Sequence, residues 1–452
     1  MTNFWNLEQF KENIAIYTEN EEISYSNLLD RVNDVESTLK KSPQSLVFSK
    51  CKNDLNSIVN YLAALRANCP VLLLDDDIDE EYLNFFMKNY KPNFFLDEKI
   101  SELNNNFKCY DKLAVLLSTS GSTGNPKLVK LSQINIQSNA ESIAKYLNIN
   151  SSDRAITTLP FHYSYGLSVI NSHLSQGASI ILTNESIISK RFWELFKKNE
   201  ATSLAGVPYT FDILDKLRFE SMDLPSLKYI TQAGGKLSEK HAKKFRTVCI
   251  KKNIDFYIMY GQTEASPRIS YFKTNEHPNK MESIGKAIPG GKLELYNKKG
   301  ELITKPYQEG ELVYYGENVM LGYANIKKDL EKKDEQCGIL HTGDLSFFDD
   351  DAFFFISGRK NRFTKIQGLR INLDDISEFL IKKNINAVAI GNDLQIFIAS
   401  TKKIDDAMKK EILKKYKLHH SILKIIQIDE IPKNSSGKIL YKKIEDLLNE
   451  KR

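Results

Sequence analysis

The chain has 452 residues, 41% hydrophobic and 27% charged, a composition typical of a globular protein with two or three domains. The net charge of +5 is small for this length and does not indicate nucleic-acid binding. The five cysteines are scattered without a C-x-x-C pair, which disfavours structural zinc and a disulfide framework. The N-terminus lacks the features of a secretory signal, and no apolar run is long enough to cross a membrane, so we expect a cytoplasmic protein without membrane insertion.

Strand-like apolar runs alternate with helix-like segments over roughly the first 280 residues. The predicted strands are SLVFSK (45–50), VLLLD (71–75), NFFLD (93–97), LAVLLS (113–118), ASIILT (178–183), TSLAGV (202–207) and DFYIM (255–259). Helices are predicted between some of them, at 56–68, 80–90 and 189–199. This alternation predicts an α/β fold of layered, mostly parallel sheets.

From about residue 284 the pattern changes to short strands separated by Gly or Asp turns, such as GELVYYG (310–316) and AFFFISG (352–358). These strands predict a small antiparallel sheet or β-barrel-like subdomain. After residue 358 strands and helices mix again, over enough residues for a small α+β domain. We therefore predict a large N-terminal domain over 1–358 and a C-terminal domain over 359–452.

The predicted strand at 113–118 runs into the loop STSGSTGNPK (118–127). Gly121 and Gly124 allow backbone N–H groups to converge on an anion, and Lys127 adds a positive charge. Further donors are the hydroxyl groups of Thr119, Ser120, Ser122 and Thr123. The loop is therefore predicted to bind phosphate, and the alternative is a flexible polar surface loop. It is not a Walker A motif, because Pro126 precedes the lysine where that motif has glycine.

Six further segments combine turn-forming residues with aromatic, acidic or basic side chains: FHYSYGL (161–167), TQAGGKL (231–237), YGQTEAS (260–266), HTGDL (341–345), GRKNRFTKIQGLRI (358–371) and IPKNSSGKIL (431–440). In this order, together with the loop at 118–127, they resemble the motifs of the adenylate-forming superfamily. That group includes acyl-CoA and aryl-CoA synthetases, adenylation domains of non-ribosomal peptide synthetases and firefly luciferase. The resemblance covers nearly the whole chain.

The resemblance implies two half-reactions. A small carboxylic acid attacks the α-phosphate of ATP, giving an acyl-adenylate and pyrophosphate. A phosphopantetheine thiol, on coenzyme A or on an acyl carrier protein, then takes the acyl group and releases AMP. The C-terminal domain of the family is mobile and rotates between the two steps, and Asn361 is the predicted hinge because Asn tolerates unusual backbone angles.

The resemblance also implies how ATP is bound. The loop at 118–127 contacts the β- and γ-phosphates, Tyr260 offers its ring to the adenine, and Thr263 donates to the α-phosphate. Glu264 is the expected Mg²⁺ ligand, and its alternative role is that of a solvated surface acid. The implied nucleotide site also includes Gly234, Gly235, Gly261 and Gln262.

Three charged residues of the last third of the chain have implied roles at the nucleotide. Asp344 accepts both ribose hydroxyls, although a Gly-Asp turn would explain it equally well. Arg359 contacts ribose and phosphate, and Lys438 is the catalytic lysine that bridges the substrate carboxylate and the α-phosphate. A lysine near a C-terminus is usually solvated, but the sequence PKNSSGK around Lys438 is close to the family pattern.

By the same resemblance, the acyl pocket consists of His162, Tyr163, Tyr209, Ala233 and Gly234, with Phe211 adding to its apolar lining. In aryl- and fatty-acyl-CoA synthetases a histidine closes this pocket, so the resemblance places His162 among the catalytic residues. The alternative is that His162 is a packed core histidine. The segment 161–167 contains no acidic residue to pair with an α-ammonium group. The prediction is therefore an acid without a free α-amine.

Three other functions remain open from the sequence. An amino-acid-activating ligase that loads a carrier protein is the alternative within the family. A kinase or P-loop NTPase would release ADP, but the Walker lysine is missing. A non-catalytic nucleotide-binding module is disfavoured because Lys127, Glu264 and Lys438 are all present.

Overall fold

The computed structural model describes residues 3–103, 105, 107–119, 127–366, 369–391, 394–416, 418–433 and 439–450. The chain forms two compact units. The first comprises Met1–Leu293 and Tyr314–Leu340, and the second comprises Glu294–Val313 and His341–Arg452. Residues 341–358 thus belong to the second compact unit. The boundary at residue 358 that the sequence predicts is that of a mobile domain, which a division by compactness does not test, so it stays a prediction.

The strands are, in chain order, β1 (Ile14–Tyr17), β2 (Glu22–Ser24), β3 (Val47–Cys51), β4 (Val71–Asp75), β5 (Phe94–Leu96), β6 (Ile100–Glu102), β7 (Leu113–Thr119), β8 (Lys127–Ser132), β9 (Arg154–Ile156), β10 (Ser179–Ile181), β11 (Ser203–Gly206), β12 (Tyr229–Gln232), β13 (Asp255–Gly261), β14 (Arg268–Lys273), β15 (Lys286–Ala287), β16 (Lys292–Tyr296), β17 (Gly310–Tyr315), β18 (Gly322–Ala324), β19 (Ile339–Phe348), β20 (Phe354–Arg359), β21 (Phe363–Ile366), β22 (Leu369–Asn372), β23 (Ala387–Gly391), β24 (Ile396–Ser400) and β25 (Leu423–Gln427).

The α-helices are α1 (Tyr25–Leu39), α2 (Leu55–Arg66), α3 (Glu80–Tyr90), α4 (Gln133–Leu147), α5 (Ser164–Leu174), α6 (Lys190–Lys198), α7 (Pro208–Lys216), α8 (Glu239–Lys251), α9 (Leu373–Lys382), α10 (Asp406–Tyr416) and α11 (Tyr441–Glu450). Several begin at side chains that cap the first free N–H groups. Ser24 accepts from Asn27 at the start of α1, and Asp54 accepts from Ser57 at the start of α2. No helix of the described residues is long and apolar enough to cross a membrane.

Two large sheets organise the first unit. One has the strand order β15-β14-β13-β12-β11-β9-β10-β1-β2, and its strands from β13 to β1 run parallel. The other has the order β18-β8-β7-β4-β3-β5-β6, with parallel pairing from β7 through β4 and β3 to β5. Helices cover these sheets, so central strands such as β4 (VLLLD) are nearly continuous apolar runs. The predicted α/β fold with mostly parallel sheets is confirmed.

The second unit contains three smaller sheets. The antiparallel or barrel-like subdomain predicted from the sequence is a four-stranded sheet of order β16-β17-β19-β20. The C-terminal part contains the hairpin β21-β22 and the sheet β23-β24-β25. Helix α9 contributes Ile376 and Leu380 to one core of this part, and α11 contributes Ile444 and Leu448 to another. This is the α+β arrangement that the sequence predicts.

A cluster of charged side chains joins the N-terminal segment to α1 and α2. The Arg66 guanidinium donates to Glu36 at 2.8 Å, to Glu8 at 2.9 Å and to the carbonyl of Trp5 at 3.1 Å. Burial alone would raise the pKa of Glu36, but hydrogen bonds from Arg66 and Lys40 and their charges hold that pKa below its ordinary value. The ionised Glu36 therefore stabilises the fold.

We predict that Glu36→Gln destabilises the protein by about 2 kcal/mol at pH 7, because Arg66 keeps its burial but loses a charged partner. Since folding lowers the pKa of Glu36, its contribution is complete above the ordinary value of 4.5 and is lost as the pH falls through the lower, folded value. Unfolding by urea at pH 7 and at pH 4 measures the difference. Glu12→Gln, at an exposed carboxylate, is the control, and an equal effect of Glu36→Gln at both pH values would contradict the prediction.

Candidate active site

The end of strand β13 carries the segment YGQTE. Gly261 lies opposite Arg268 after a register shift, and a Cβ placed on Gly261 would overlap the carbonyl oxygen of Pro267. Only glycine fits this close approach of two backbones. Gln262 donates to the Tyr260 hydroxyl at 3.2 Å and fixes the end of that side chain. Strand β13 therefore ends at Gly261, and the turn begins directly after it.

Thr263 begins a single turn of 3₁₀-helix, Thr263–Ala265, that follows β13. Its hydroxyl lies 3.2 Å from the hydroxyl of Ser164, the first residue of α5. Both side chains are buried. The site therefore holds two facing hydroxyl groups between the end of a parallel strand and the start of a helix, where ligands often bind in α/β proteins.

Glu264, Tyr323 and Lys127 form a three-residue cluster. The Tyr323 hydroxyl donates to Glu264 Oε1 at 2.8 Å, and Lys127 Nζ lies 3.5 Å from the centre of the Tyr323 ring. Burial raises the pKa of Tyr323, and the Glu264 charge and hydrogen bond raise it further, so this hydroxyl stays protonated. Lys127 and Tyr323 are positioned by the neighbouring strands β8 and β18. The cluster thus connects a carboxylate to a cation through one aromatic ring.

Buried amides hold the turn at 263–268 in place. Asn318 Nδ2 donates to the carbonyls of Ala265 at 2.6 Å and Arg268 at 2.8 Å, and Asn318 Oδ1 accepts from Tyr314 at 2.7 Å. Asn139 Nδ2 donates to the Arg268 carbonyl at 3.2 Å. These bonds satisfy carbonyl groups that would otherwise be buried without partners, and so they fix the turn.

The segment TQAGG forms a second turn at the end of β12. Gly234 has φ +79°, and a Cβ there would lie 2.7 Å from the Tyr163 hydroxyl and 3.0 Å from Val207. Gln232 Nε2 donates to the Gly235 carbonyl at 2.7 Å, and Ala233 is buried. Glycine is required at 234 by both backbone angle and space. Tyr163 and Gly234, both predicted in the acyl pocket, therefore lie in contact.

His162 lies beside the carboxylate of Asp75, which is distant from the segment 161–167 in the sequence. Its Nε2 is 3.5 Å from Asp75 Oδ2, at the end of β4, and its buried Nδ1 has no hydrogen-bond partner. Burial lowers the pKa of His162, and the Asp75 charge opposes this only in part. A mainly neutral imidazole with one unused nitrogen is suited to contact a bound ligand.

Tyr209 and Phe211, the two residues of GVPYTF that were predicted to line the pocket, have different surroundings. Tyr209, in the first turn of α7, is 52% exposed. Phe211 is buried in an aromatic cluster, with ring centres 4.9 Å from Phe245 and 5.5 Å from Phe256. The Phe211 ring therefore packs α7 against α8 and β13, and its place in the lining of the acyl pocket stays a prediction.

Asp344 and Arg359 are brought together within the second unit. They face each other across the β19–β20 ladder, and Arg359 Nε donates to Asp344 Oδ1 at 3.1 Å. Asp344 is buried, whereas the Arg359 side chain is 62% exposed. Gly343 has φ +71° just before Asp344, and both residues lie within strand β19, so Asp344 is a strand residue and not a turn residue.

Several predicted residues lie outside the described part of the chain: Ser120, Gly121, Ser122, Thr123, Gly124 and Lys438. The flanking Thr119 and Lys127 are described, and they pair across the β7–β8 ladder. The backbone at Asn361 lies in a 3₁₀ turn, Lys360–Arg362, but its side chain is outside the described set.

The described residues contain no group of three or more His, Cys, Asp or Glu that could hold a metal ion. Magnesium needs no such group when phosphate oxygens and water complete its shell, and one or two carboxylates then suffice. Glu264 fits this requirement, since Tyr323 holds one of its carboxylate oxygens in a defined position. The residues present therefore fit a magnesium ion carried by a nucleotide.

Four residues of this region were not found by the sequence reasoning: Asp75, Asn318, Tyr323 and Arg268. Each lies on an element distant in sequence from the motif it contacts, or inside the turn itself. The end of a buried strand, VLLLD, was a usable signal for Asp75 because carboxyl ends of parallel strands meet at one edge. For Tyr323 and Asn318 the sequence holds no such signal.

Comparison with known proteins agrees with this geometry. The family model for the AMP-binding enzyme matches residues 105–324. Luciferin 4-monooxygenase of Nipponoluciola cruciata is 23% identical over 94% of this chain and 80% of its own length. A 2-succinylbenzoate–CoA ligase of Bacillus cereus is 28% identical over 74% of this chain and 70% of its own.

Solved structures of the o-succinylbenzoate CoA synthetase from Bacillus subtilis show a similar fold. The complex with the acyl-adenylate intermediate has a TM-score of 0.81 at 20% identity and covers 98% of both chains. The complex with ATP and magnesium has a TM-score of 0.80 at 20% identity, over 98% of this chain and 100% of that one.

Residues 105–324 match the AMP-binding enzyme family, and the fold is that of the o-succinylbenzoate CoA synthetase structures. This match and the relatives confirm the resemblance to the adenylate-forming superfamily that the motifs predicted.

We predict that Tyr323→Phe raises the KM for magnesium ATP by about 3- to 10-fold, because the ring under Lys127 remains but Glu264 loses its hydrogen bond. ATP titration of the initial rate, with calorimetric ATP binding as a second measurement, tests this. Tyr307→Phe removes a comparable bond, from an exposed hydroxyl to Asp350 at 2.9 Å, and serves as control. Unchanged nucleotide affinity in Tyr323→Phe would show that this bond does not position Glu264.

Proposed function

We propose that this chain is an AMP-forming acid–thiol ligase. It activates a carboxylic acid with ATP, releases pyrophosphate, and transfers the acyl group of the adenylate to a phosphopantetheine thiol. The observation that carries the proposal is the convergence of Thr263, Ser164, Glu264 and Lys127 around the end of β13. Hydroxyl donors, a carboxylate and a cation are the groups that adenylation at the α-phosphate requires.

In the first half-reaction a carboxylate oxygen of the acid attacks the α-phosphorus, and the bond to the β-phosphate breaks. Negative charge then grows on the leaving pyrophosphate. Lys127, with the loop that precedes it, stabilises this charge, and the Thr263 hydroxyl donates to an oxygen of the α-phosphate. The Tyr323 ring under Lys127 holds the ammonium group near the start of β8.

Magnesium bound with ATP neutralises phosphate charge and orders the phosphate oxygens. Glu264 is the residue that would hold it, with Tyr323 fixing the orientation of the carboxylate. Tyr260 offers its ring to the adenine beside Gly234 and Gly235. In the second unit, Asp344 takes the ribose hydroxyls and its partner Arg359 contacts ribose and phosphate.

The second half-reaction is the attack of a thiol on the acyl carbonyl, with AMP as leaving group. Coenzyme A and a carrier protein present the same phosphopantetheine arm, so both are acceptor candidates. Lys438 acts in the first half-reaction, where its charge bridges the acid and the α-phosphate. Rotation of residues 359–452 about Asn361 then removes Lys438 and admits the thiol.

In this proposal His162 and Tyr163 line the entrance for the acid, and the Tyr163 hydroxyl lies against Gly234. The neutral imidazole of His162 carries no charge that would repel or attract the ends of an acyl chain. Asp75 beside His162 is a carboxylate of the kind that an α-ammonium group would need. Amino acids therefore remain the second candidate substrate class, although an acid without a free α-amine is the favoured one.

Exchange of labelled pyrophosphate into ATP with a panel of carboxylic and amino acids tests this function. We expect exchange with at least one acid, release of AMP and not ADP, and a loss of exchange in Glu264→Gln by about 100-fold. Exchange stimulated only by amino acids would favour the second candidate. Exchange with none of the acids, or release of ADP, would contradict the proposed activity.

We predict that Lys438→Ala slows adenylation by at least about 100-fold and slows thioester formation from preformed acyl-adenylate by less than about threefold. The reason is that the lysine charge is needed only while the α-phosphate is attacked. Single-turnover assays of each half-reaction measure the two rates. Lys442→Ala, at an exposed lysine of α11, is the matched control, and equal losses in both half-reactions would rule out alternation of this domain.

A further inference from the structure

A small cavity of about 20 Å³ lies in the first unit, where α4 and α5 pack on strands β11 to β14. A void of this size has room for about one water molecule or a comparably small polar group. The side chains that give it polarity are Tyr146, Tyr165, His173, Tyr229, Thr231 and Arg268. None of them was assigned to the acyl pocket by the sequence motifs.

The cavity adjoins the predicted entrance for the acid. Tyr165 shares a hydrogen bond of 2.7 Å with Thr231, which lies three residues before Gly234. The rings of Tyr165 and Tyr163 meet edge to face with centres 6.4 Å apart. The Arg268 guanidinium in turn lies 4.8 Å from the centre of the Tyr165 ring, and its charge acts against the rise that burial causes in the pKa of Tyr163. Tyr163, Tyr165 and Arg268 therefore form a series of contacts from the predicted entrance for the acid to the cavity.

The other polar groups of the cavity satisfy one another. His173 Nδ1 lies 2.8 Å from the Val169 carbonyl and must carry the proton, so Nε2 accepts from the Tyr229 hydroxyl at 3.2 Å. Burial lowers the pKa of His173 to about 4, and the imidazole is neutral near pH 7. Ser168 donates to the Tyr165 carbonyl at 2.8 Å. These residues offer no charge to a ligand.

Arg268 is the exception. Its side chain is 2% exposed, its Nε–H has no hydrogen-bond partner, and its guanidinium lies 4.8 Å from the centre of the Tyr165 ring. Burial raises the pKa of Tyr146 to about 12, although the charge of Arg268 and a hydrogen bond between the two side chains lower that pKa. Among the residues that the structure describes, no carboxylate forms an ion pair with Arg268. A neutral phenol and a π-face compensate a buried cation only partly.

A second buried cation of the same unit shows the usual arrangement. Lys130 is also fully buried, but its Nζ reaches the Glu335 carboxylate at 3.2 Å and the Asp329 carbonyl at 3.1 Å. Breaking or omitting the anionic partner of a buried cation is strongly unfavourable in general. Arg268 lacks such an anionic partner among the described residues and lies next to a cavity, so a bound ligand can supply the missing negative charge.

We propose that Arg268 binds a second carboxylate at the far end of the acid that this enzyme activates. The inference rests on the proposed function and names its substrate class, a short dicarboxylic acid. The first carboxylate lies at Thr263, where it attacks the α-phosphate, and the second enters the cavity and pairs with the guanidinium. Because Thr263, in the turn after β13, lies five residues before Arg268, the first residue of β14, the chain between the two carboxylates is short. Arg268 is a specificity-determining residue that takes no part in bond making.

The test compares each short dicarboxylate, from malonate to glutarate, with its monoamide, which has the same shape but no second charge. For the favoured length, wild type is expected to show kcat/KM in pyrophosphate exchange about 10- to 100-fold higher for the dicarboxylate. Arg268→Met should remove this preference by raising the KM for the dicarboxylate by the same factor, with the KM for ATP unchanged. Arg268→Lys should retain part of the preference.

Arg154→Met is the matched control, because Arg154 also lies over a tyrosine ring, that of Tyr17 at 5.1 Å, but has Glu200 as partner and does not line the cavity. Equal use of dicarboxylate and monoamide by wild type would overturn the inference even if Arg268→Met fails to fold. Unchanged preference in a folded Arg268→Met would also overturn it, and both results would leave the proposed ligase activity standing.

Calorimetric binding of the dicarboxylates separates this inference from the proposed function. If no acid supports exchange but a dicarboxylate binds to wild type and not to Arg268→Met, the site is supported and the ligase activity is not. If no dicarboxylate binds and no acid supports exchange, both are wrong.

Discussion

The hydrogen bond from Tyr323 to Glu264 is the contact on which the arrangement of the site depends. Glu264 follows β13 of one large sheet, whereas Tyr323 and Lys127 belong to β18 and β8 of the other. One phenol thus joins the two sheets, orients a carboxylate through its hydroxyl and holds a cation on its ring. Burial around Tyr323 strengthens both interactions because water does not compete for them.

The turn after β13 is held in place for this contact because its buried backbone carbonyl groups have hydrogen-bond donors. Asn318 and Asn139 bind the carbonyls of residues 265 and 268, and Gly261 lets the backbone pass Pro267 without a side chain between them. A buried turn without these donors would leave carbonyl groups unpaired at a cost of about 1–3 kcal/mol each. The rigidity of the turn keeps the Thr263 hydroxyl facing Ser164.

Much of this fold is predictable from local sequence. The helix predicted at 80–90 coincides with α3, and the strand predicted at 71–75 coincides with β4, because each carries a clear period or a continuous apolar run. The motifs TQAGG and YGQTE likewise lie at the ends of β12 and β13, where Gly and polar residues interrupt apolar runs. What the sequence does not reveal is which distant side chain meets each motif. Tyr323 and Asn318 stand in a segment without a local signature, and only the pairing of β18 with β8 brings Tyr323 to Glu264.

The buried polar groups that the structure describes in the first unit fall into two classes, those with hydrogen-bond partners inside the protein and those without. Lys130, His173 and the Asn318 amide have partners within the protein, and their arrangement is complete without a ligand. Arg268 Nε and His162 Nδ1 are buried donors or acceptors without partners. His162 precedes Tyr163 in the chain, and Arg268 lies against the ring of Tyr165, which meets Tyr163 edge to face. Other buried polar atoms without partners, on Asn53, Tyr61, Asn139 and Asn171, carry no charge. An apolar acid would leave Arg268 as it is, whereas a second carboxylate would complete its hydrogen bonds, so discrimination at this site depends on charge more than on length.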